Sequence, residues 1–313
     1  MTARIGTVAE GRSDPSPPHS AEPAIAQETR KSSSRMSPAS CCQCHVRDWC
    51  LPAGFADDAM RRVDDLVVGR RRLRRGETLV RVGDRFESLH AVRFGSLKST
   101  LLSADGYDQV TGVHLPGEIV GLDGIATELH TCGVAALEYA EVCVIPYRRL
   151  EEVAVGVPSL QNNLRRIMSR EIVREHSAMR LLASKRADER LAMFLLNFSQ
   201  RFEARGYSRS EFLLRMTRAE IASFLGLSLE TVSRSFSYLV HNGLIDLDKK
   251  RLVILDFDGL RRVARVQSPD DEPDSWQEGR RDVDHRNPAR AAAVVLPGSL
   301  REGLASPLHH DRC

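Results

Sequence analysis

Between residues 58 and 150 the apolar positions come in short runs that glycine keeps interrupting. Thr78-Leu79-Val80 is followed by Gly83, Leu89-His90-Ala91-Val92 by Gly95, and further breaks fall at Gly106, Gly112, Gly117 and Gly121. Apolar runs of this length with regular turn signals predict short strands in a small antiparallel barrel or roll. From residue 159 to about 184 the glycines stop. Met168, Ile172, Glu175, Met179 and Leu182 are then spaced 4, 3, 4 and 3, which is a heptad seam. The predicted helix is long enough to pair with a copy of itself along those five positions; the alternative is a single buried helix packed on the roll. Glu175 favours pairing, because an acid deep in a monomer core would need a cationic partner. A second helical segment spans 187–205.

The polar pattern becomes specific after residue 216. Thr217-Arg218-Ala219-Glu220 has capping-box form, in which the Thr hydroxyl accepts from the Glu220 amide and the Glu side chain reaches back. A short apolar helix, Ile221-Ala222-Ser223-Phe224-Leu225, ends at Gly226, which suits a left-handed turn. Ser228 is placed to cap a second helix from Leu229 to about Asn242. Helix, tight glycine turn, helix is the helix-turn-helix unit. On the second helix Glu230, Ser233 and Arg234 share one face near the N-terminal end, where a recognition helix meets base edges. Arg donates twice to guanine, Glu accepts from cytosine N4, and Ser serves several bases. A surface helix with ordinary charges is the competing explanation, and cap, turn and face together weigh against it. Residues 244–255, with Lys249-Lys250-Arg251 between two apolar runs, read as a hairpin wing whose basic turn suits phosphates.

Length and charge narrow the class. A chain of 313 residues suggests two domains plus extensions. The net charge is only +3, so a nucleic-acid surface must be a local patch. Arg70-Arg71-Arg72-Leu73-Arg74-Arg75 is either such a patch or, more commonly, a solvated strand ahead of a Gly76 turn. No apolar run approaches the roughly 18 residues that a bilayer span needs, and no signal-peptide core follows the N-terminal basic residues. A cytoplasmic protein is expected. Residues 1–40 are rich in Pro, Ser and Ala, and residues beyond about 266 are charged and contain proline. Both tails are expected to be disordered.

Four of the seven cysteines lie within Cys41-Cys42-Gln43-Cys44-His45-Val46-Arg47-Asp48-Trp49-Cys50. In a reducing cytosol such a cluster points to metal ligation rather than disulfides. Cys41, Cys44 and Cys50 form a C-x2-C-x5-C frame that suits a soft metal centre, with Cys42 the spare. A fourth position is left for Cys132, Cys143 or Cys313. His45 is a further possible ligand if the metal is a structural zinc.

The cysteine frame, the glycine-punctuated roll, the long helix and Leu227-Ser228-Leu229-Glu230-Thr231-Val232-Ser233-Arg234 together resemble the CRP/FNR regulators. The likeness is greatest to regulators of the fumarate-and-nitrate-reduction type and covers roughly residues 41–260. Thr111-Gly112-Val113-His114-Leu115-Pro116-Gly117-Glu118, Met168-Ser169-Arg170-Glu171-Ile172 and Ala187-Asp188-Glu189-Arg190-Leu191-Ala192 add to it. The resemblance implies an α+β chain. Its parts are a tail (1–40), a cysteine segment (41–57), a cyclic-nucleotide-binding-like β-roll (58–155), a dimerisation helix (156–186), a winged helix-turn-helix domain (187–262) and a second tail (263–313). It implies an oxygen-labile [4Fe-4S] cluster on Cys41, Cys44, Cys50 and Cys143. Cys143 is picked out by Leu137-Glu138-Tyr139-Ala140-Glu141-Val142-Cys143-Val144-Ile145-Pro146. It also implies that Glu230, Ser233 and Arg234 read a palindrome of the TTGAT-N4-ATCAA type in double-stranded DNA. The implied regulator is a homodimer, an activator or repressor of anaerobic-metabolism genes that loses DNA binding when oxygen destroys the cluster. Contacts with RNA polymerase are implied too, with Ala104-Asp105-Gly106-Tyr107 as one surface.

There are departures. Trp49 stands before the third cysteine, where a smaller aliphatic residue is usual. Cys42 and Cys132 are extra thiols. Where nucleotide-binding relatives carry a phosphate arginine, this chain has Thr131-Cys132-Gly133-Val134, which argues against a cyclic-nucleotide effector. Two other functions remain in view. One is a DNA-binding regulator with a structural zinc site. The other is an iron–sulfur redox enzyme, for which no phosphate loop, second cluster frame or nucleophile elbow is present and in which the helix-turn-helix has no role.

Overall fold

The computed structural model describes residues 41–55, 57–102, 108–183 and 186–265, with backbone only for 57–59. Residues 1–40, residues 266–313 with Cys313, and the Ala104-Asp105-Gly106-Tyr107 stretch lie outside the described residues. The second tail begins later than expected, because residues 263 and 264 finish a helix that buries Ala264 in the C-terminal core.

The cysteine segment leads into helix α1 (Asp57–Leu66) and strand β1 (Gly69–Leu73). Seven more strands follow: β2 (Thr78–Val80), β3 (Ser88–Phe94), β4 (Leu97–Leu102), β5 (Asp108–His114), β6 (Ile119–Val120), β7 (Gly133–Ala136) and β8 (Ala140–Pro146). They form two four-stranded sheets, ordered β1-β8-β3-β6 and β2-β7-β4-β5, with every pairing antiparallel. Leu73, Leu79, Val92, Leu97, Val120, Val134, Ala140 and Val142 fill the space between them. Gly95 (φ +76°) makes one of the turns, and a Cβ there would run into the Tyr139 carbonyl oxygen.

The roll is not all strand at its ends. α1 and a second helix, α2 (Tyr147–Val155), flank it. In α1 the buried Met60, Val63 and Leu66 recur every third residue among charges. Helix α3 (Pro158–Ala183) then runs 26 residues, about 39 Å at the α-helical rise. It buries Leu160, Asn163, Ile167 and Leu181. The heptad seam lies elsewhere on its surface: Met168 is half-buried and Ile172, Glu175, Met179 and Leu182 are exposed. The seam is therefore largely open, with Glu175 bordering a cavity that Thr111, Gly112 and His114 of β5 also line.

The C-terminal unit comprises α4 (Ala187–Ala204), β9 (Glu211–Leu213), α5 (Arg218–Leu225), α6 (Leu229–His241), β10 (Ile245–Asp248), β11 (Arg251–Ile254) and α7 (Phe257–Ala264). Phe194, Phe198, Leu225, Val232, Phe236, Leu239, Leu252 and Leu260 form its core. β10 and β11 pair as the wing, and β9 adds a third strand. Local sequence sets these boundaries. The Thr217 Oγ1 accepts from the Glu220 amide (3.1 Å) and the Glu220 carboxylate accepts from the Thr217 amide (2.7 Å). Gly226 ends α5 in the left-handed region (φ 61°, ψ 42°), and Ser228 caps α6 by accepting from the Thr231 amide. Among the described residues no helix is long and apolar enough to cross a membrane.

Candidate functional site

Turns held by Cys44 N–H to the Cys41 carbonyl, Arg47 N–H to the Cys44 carbonyl and Cys50 N–H to the Arg47 carbonyl coil the cysteine segment on itself. Asn163 of α3 donates its amide to the carbonyls of Leu51 (3.0 Å) and Ala53 (2.7 Å), and Asp64 of α1 accepts from the Cys41 amide. The coil closes over β8. Cys41, Cys44, Cys50 and Cys143 all line one cavity of about 20 Å³, shared with Val46, Leu51, Val63, Val67, Val92 and Ile145. Cys42 and Cys132 are not in its lining, nor is His45, which is exposed.

Burial pushes the Cys50 thiol up to about 12 and the Cys143 thiol up to about 11, with the neighbouring thiols adding to both shifts. Cys41 is raised by burial and by Asp64. Metal binding here must therefore release protons. The positive charges at hand are Arg47 and Arg93 in the cavity wall and Arg70 beside Cys143. Soft donors, an apolar shell and nearby cations suit a thiolate-ligated iron–sulfur group, whose overall charge is negative. Among the described residues no three His, Cys, Asp or Glu side chains converge as a single-ion site.

The first three arginines of the run, Arg70, Arg71 and Arg72, are engaged within the fold. Arg70 lies opposite Cys143 and Arg72 opposite Glu141 in the β1–β8 register. The Glu141 carboxylate takes Arg93 Nη1 at 2.8 Å, Arg72 Nε at 3.2 Å and Arg70 Nε at 3.8 Å. Arg71 donates to the carbonyls of Leu79 and Thr78. These contacts favour the strand reading over the nucleic-acid patch. At the position of the missing phosphate arginine, the Asp123 carboxylate accepts from the amides of Thr131 (2.7 Å) and Cys132 (2.9 Å) and from the Thr131 hydroxyl. An acid holds the donors that an anion would need.

On α6, Glu230 and Arg234 pair with each other and their side chains are 73% and 78% exposed. Ser233 donates to the Leu229 carbonyl (2.9 Å). The three expected base-reading residues thus share an open face. Behind them Arg218 lies over the Phe236 ring, 3.2 Å from its centroid, and Arg190 of α4 donates to the carbonyls of Leu225 and Gly226, fixing the turn between the helices.

One group was missed by motif reading. Glu118, in the β5–β6 turn, is buried against three guanidiniums: Arg174 of α3 (2.8 Å), Arg201 of α4 (2.8 Å) and Arg205, which caps the C-terminus of α4. Burial would raise its pKa, but the three cations outweigh burial and hold it well below the usual carboxylate range. Its Oε2 also accepts from the Leu115 amide. Arg201 donates to the Val113 carbonyl and Arg205 Nε to that of Pro116. In the sequence Glu118 stands out only as the end of the Pro116-Gly117-Glu118 run.

Residues 70–155 match the cyclic nucleotide-binding domain family, and residues 189–263 match the Crp-like helix-turn-helix domain family. The transcriptional activator protein FnrA of Stutzerimonas stutzeri is 46% identical over 226 residues, which are 72% of this chain and 93% of that protein. The fumarate and nitrate reduction regulatory protein of Escherichia coli is 36% identical over 224 residues, 72% of this chain and 90% of that protein. Among solved structures, FixK2 from Bradyrhizobium japonicum superposes with a TM-score of 0.57 at 28% identity, covering 62% of this chain and 96% of that one.

Proposed function

We propose, from the premise that this chain belongs to the CRP/FNR family of DNA-binding transcription regulators, that it is an oxygen-responsive homodimer acting in the cytoplasm. It is a transcription regulator and not an enzyme. Cys41, Cys44, Cys50 and Cys143 hold a [4Fe-4S] cluster, and Cys42, Cys132 and Cys313 are dispensable for it. Held by these thiolates, such a cluster would supply oxygen-labile chemistry at the point where the N-terminal segment meets β8. The observation that carries this reading is the shared cavity, in which three thiols from one end of the roll domain meet Cys143, a residue 93 positions beyond Cys50 in the numbering.

The chain's own residues then act in sequence. Asn163 binds the cysteine segment to α3, so the arrangement of that segment bears on the helix that carries Met168, Ile172, Glu175, Met179 and Leu182. Two such helices pair along the seam. Pairing presents two α6 helices to successive major grooves, about 34 Å apart. Arg234, Glu230 and Ser233 read a palindrome of the TTGAT-N4-ATCAA type. Losing the dimer loses most of the affinity, because the second half-site contact is no longer local. RNA polymerase is the further partner through which bound protein activates transcription at some promoters and represses at others. A cyclic nucleotide is not the effector, since Asp123 occupies the donors at the phosphate position.

The test is anaerobic reconstitution followed by iron and sulfide analysis and an absorption spectrum, on wild type and single Cys→Ser variants. The expected result is a brown protein with about four iron and four sulfide per subunit. Iron should be lost in Cys41→Ser, Cys44→Ser, Cys50→Ser and Cys143→Ser and kept in Cys42→Ser and Cys132→Ser. A colourless protein carrying zinc, or full iron in Cys143→Ser with loss in Cys132→Ser, overturns the assignment.

A further inference from the structure

The cysteine segment touches the roll at a second point besides its cavity. Trp49, one residue before Cys50, lies directly on Gly117. A Cβ at Gly117 would come to 2.7 Å of Trp49 Cβ and 3.3 Å of its carbonyl carbon and oxygen, and Gly117 is in the left-handed region at φ +89°. The neighbouring atoms are Trp49 Cβ and its carbonyl group, none of them the far end of a flexible side chain, so a displacement of Trp49 and Cys50 has little slack to absorb it. It passes to the turn that Gly117 makes. The next residue in that turn is Glu118.

Glu118 reaches three separate elements. Its Oε2 accepts from the Leu115 amide (3.0 Å), which ties the carboxylate to its own turn. Arg174 brings in α3 in the middle of the seam. Arg201 near the end of α4 and Arg205 at its C-terminal cap bring in the helix at the base of the DNA-binding unit. α4 in turn holds the recognition helix through Arg190, whose guanidinium grips the Leu225 and Gly226 carbonyls at the start of the turn into α6. Withdrawing one cation from a buried carboxylate is costly even where the other two remain, because its bond is left unmade in a buried site. The group therefore moves together or rearranges as a whole. Space for rearrangement is at hand: Arg174 and Arg201 border a cavity of about 60 Å³, also lined by His114, Glu171 and Phe224.

We propose that Glu118 is a positioning residue that couples the cysteine segment to the DNA-binding unit of the same subunit. The path runs from Cys50 through Trp49 and Gly117 to Glu118, and from Glu118 through Arg201 and Arg205 to α4 and α6. It starts from a different contact than the Asn163 link to α3, and although Glu118 also touches α3 through Arg174, only the Glu118 route reaches α4, so it sets how the recognition helix is held. The inference rests on the cluster reading above.

The test compares full-length wild type and Glu118→Gln, each anaerobically reconstituted with iron and sulfide and each after cluster removal. Amide hydrogen exchange of α4 and α6 is followed by mass spectrometry, with iron per subunit and operator affinity measured on the same samples. In wild type, cluster removal is expected to speed exchange in α4 at least tenfold. In Glu118→Gln, iron per subunit stays at the wild-type level, the cysteine segment still responds, and the change in α4 falls to within about twofold. Operator affinity of the loaded variant drops at least tenfold. A purely structural role for Glu118 would speed α4 exchange by the same factor in both states and leave the ratio unchanged, which overturns the proposal. So does a wild-type protein whose operator binding follows the cluster while α4 exchange does not. A wild type that holds no cluster fails the functional reading itself, and is recognised before any variant is compared. If Glu118→Gln does not fold, Arg205→Lys carries the test. It keeps the charge but loses the Nε bond to the Pro116 carbonyl, and a wild-type ratio there again overturns the proposal.

Discussion

Arg234 and Glu230 hold each other in the free protein, and both are largely exposed. An ion pair that open contributes little to stability, so exchanging it for base contacts costs the fold almost nothing. Arg234→Ala is expected to weaken operator binding by about 1–3 kcal/mol per half-site and to relax preference at the guanine position. Titrations against the palindrome and its single-base variants check this; equal weakening on every sequence would make Arg234 a phosphate contact instead. These residues were legible in the sequence because their geometry is local. Thr217 and Glu220, Ser228 and Thr231, and Glu230 and Arg234 are three or four residues apart. Asn163 and Glu118 were not. Asn163 serves carbonyls 110 and 112 residues away, and Glu118 meets Arg201 across 83. No spacing rule reaches that far.

At the level of elements, periodicity placed the long ones and lost the short ones. α3 is legible because the glycines stop near residue 159 and a heptad spacing follows from Met168 to Leu182. α1 is ten residues with three buried positions among charges, a signal that the glycine-rich strand pattern around it hides. The arginine run shows why charge alone misleads. Alternate arginines on β1 face Glu141 on β8, a partner that only the strand register supplies. For α3, the seam can be weighed. Burial of Met168, Ile172, Met179 and Leu182 on pairing supplies the attraction, and it is offset by the cost of association and by Glu175. Burial raises the Glu175 pKa, with Arg174 opposing, and pairing brings two such carboxylates together. Charged, they repel; protonated, they do not. Glu175→Ala is therefore expected to dimerise and bind operator in air without a cluster. Metal-free wild type should dimerise more strongly as pH falls through the raised pKa, because protonation removes the repulsion. Sedimentation of the aerobic proteins decides: a Glu175→Ala protein that stays monomeric where the anaerobic wild type is dimeric contradicts the repulsion account.

For the whole molecule, the roll is a junction rather than a container. Its β1-β8-β3-β6 sheet presents Cys143 to the cysteine segment, and its β5–β6 turn presents Glu118 to α3 and α4. The segment at one end and the helix-turn-helix at the other are thus joined through packed backbone and buried charge. The domain order was readable from the sequence, since each part has its own periodicity. The joints between parts were not, since they are made by single residues whose partners belong to other parts. The central claim is that the state of the four-cysteine site governs operator binding. It is tested most directly by titrating one anaerobically reconstituted sample onto the palindromic duplex, admitting air, and titrating again. The account predicts tight, salt-dependent binding before air and a loss of at least a hundredfold after it, in step with bleaching of the brown absorption. Binding that is unchanged after the colour has gone would contradict it.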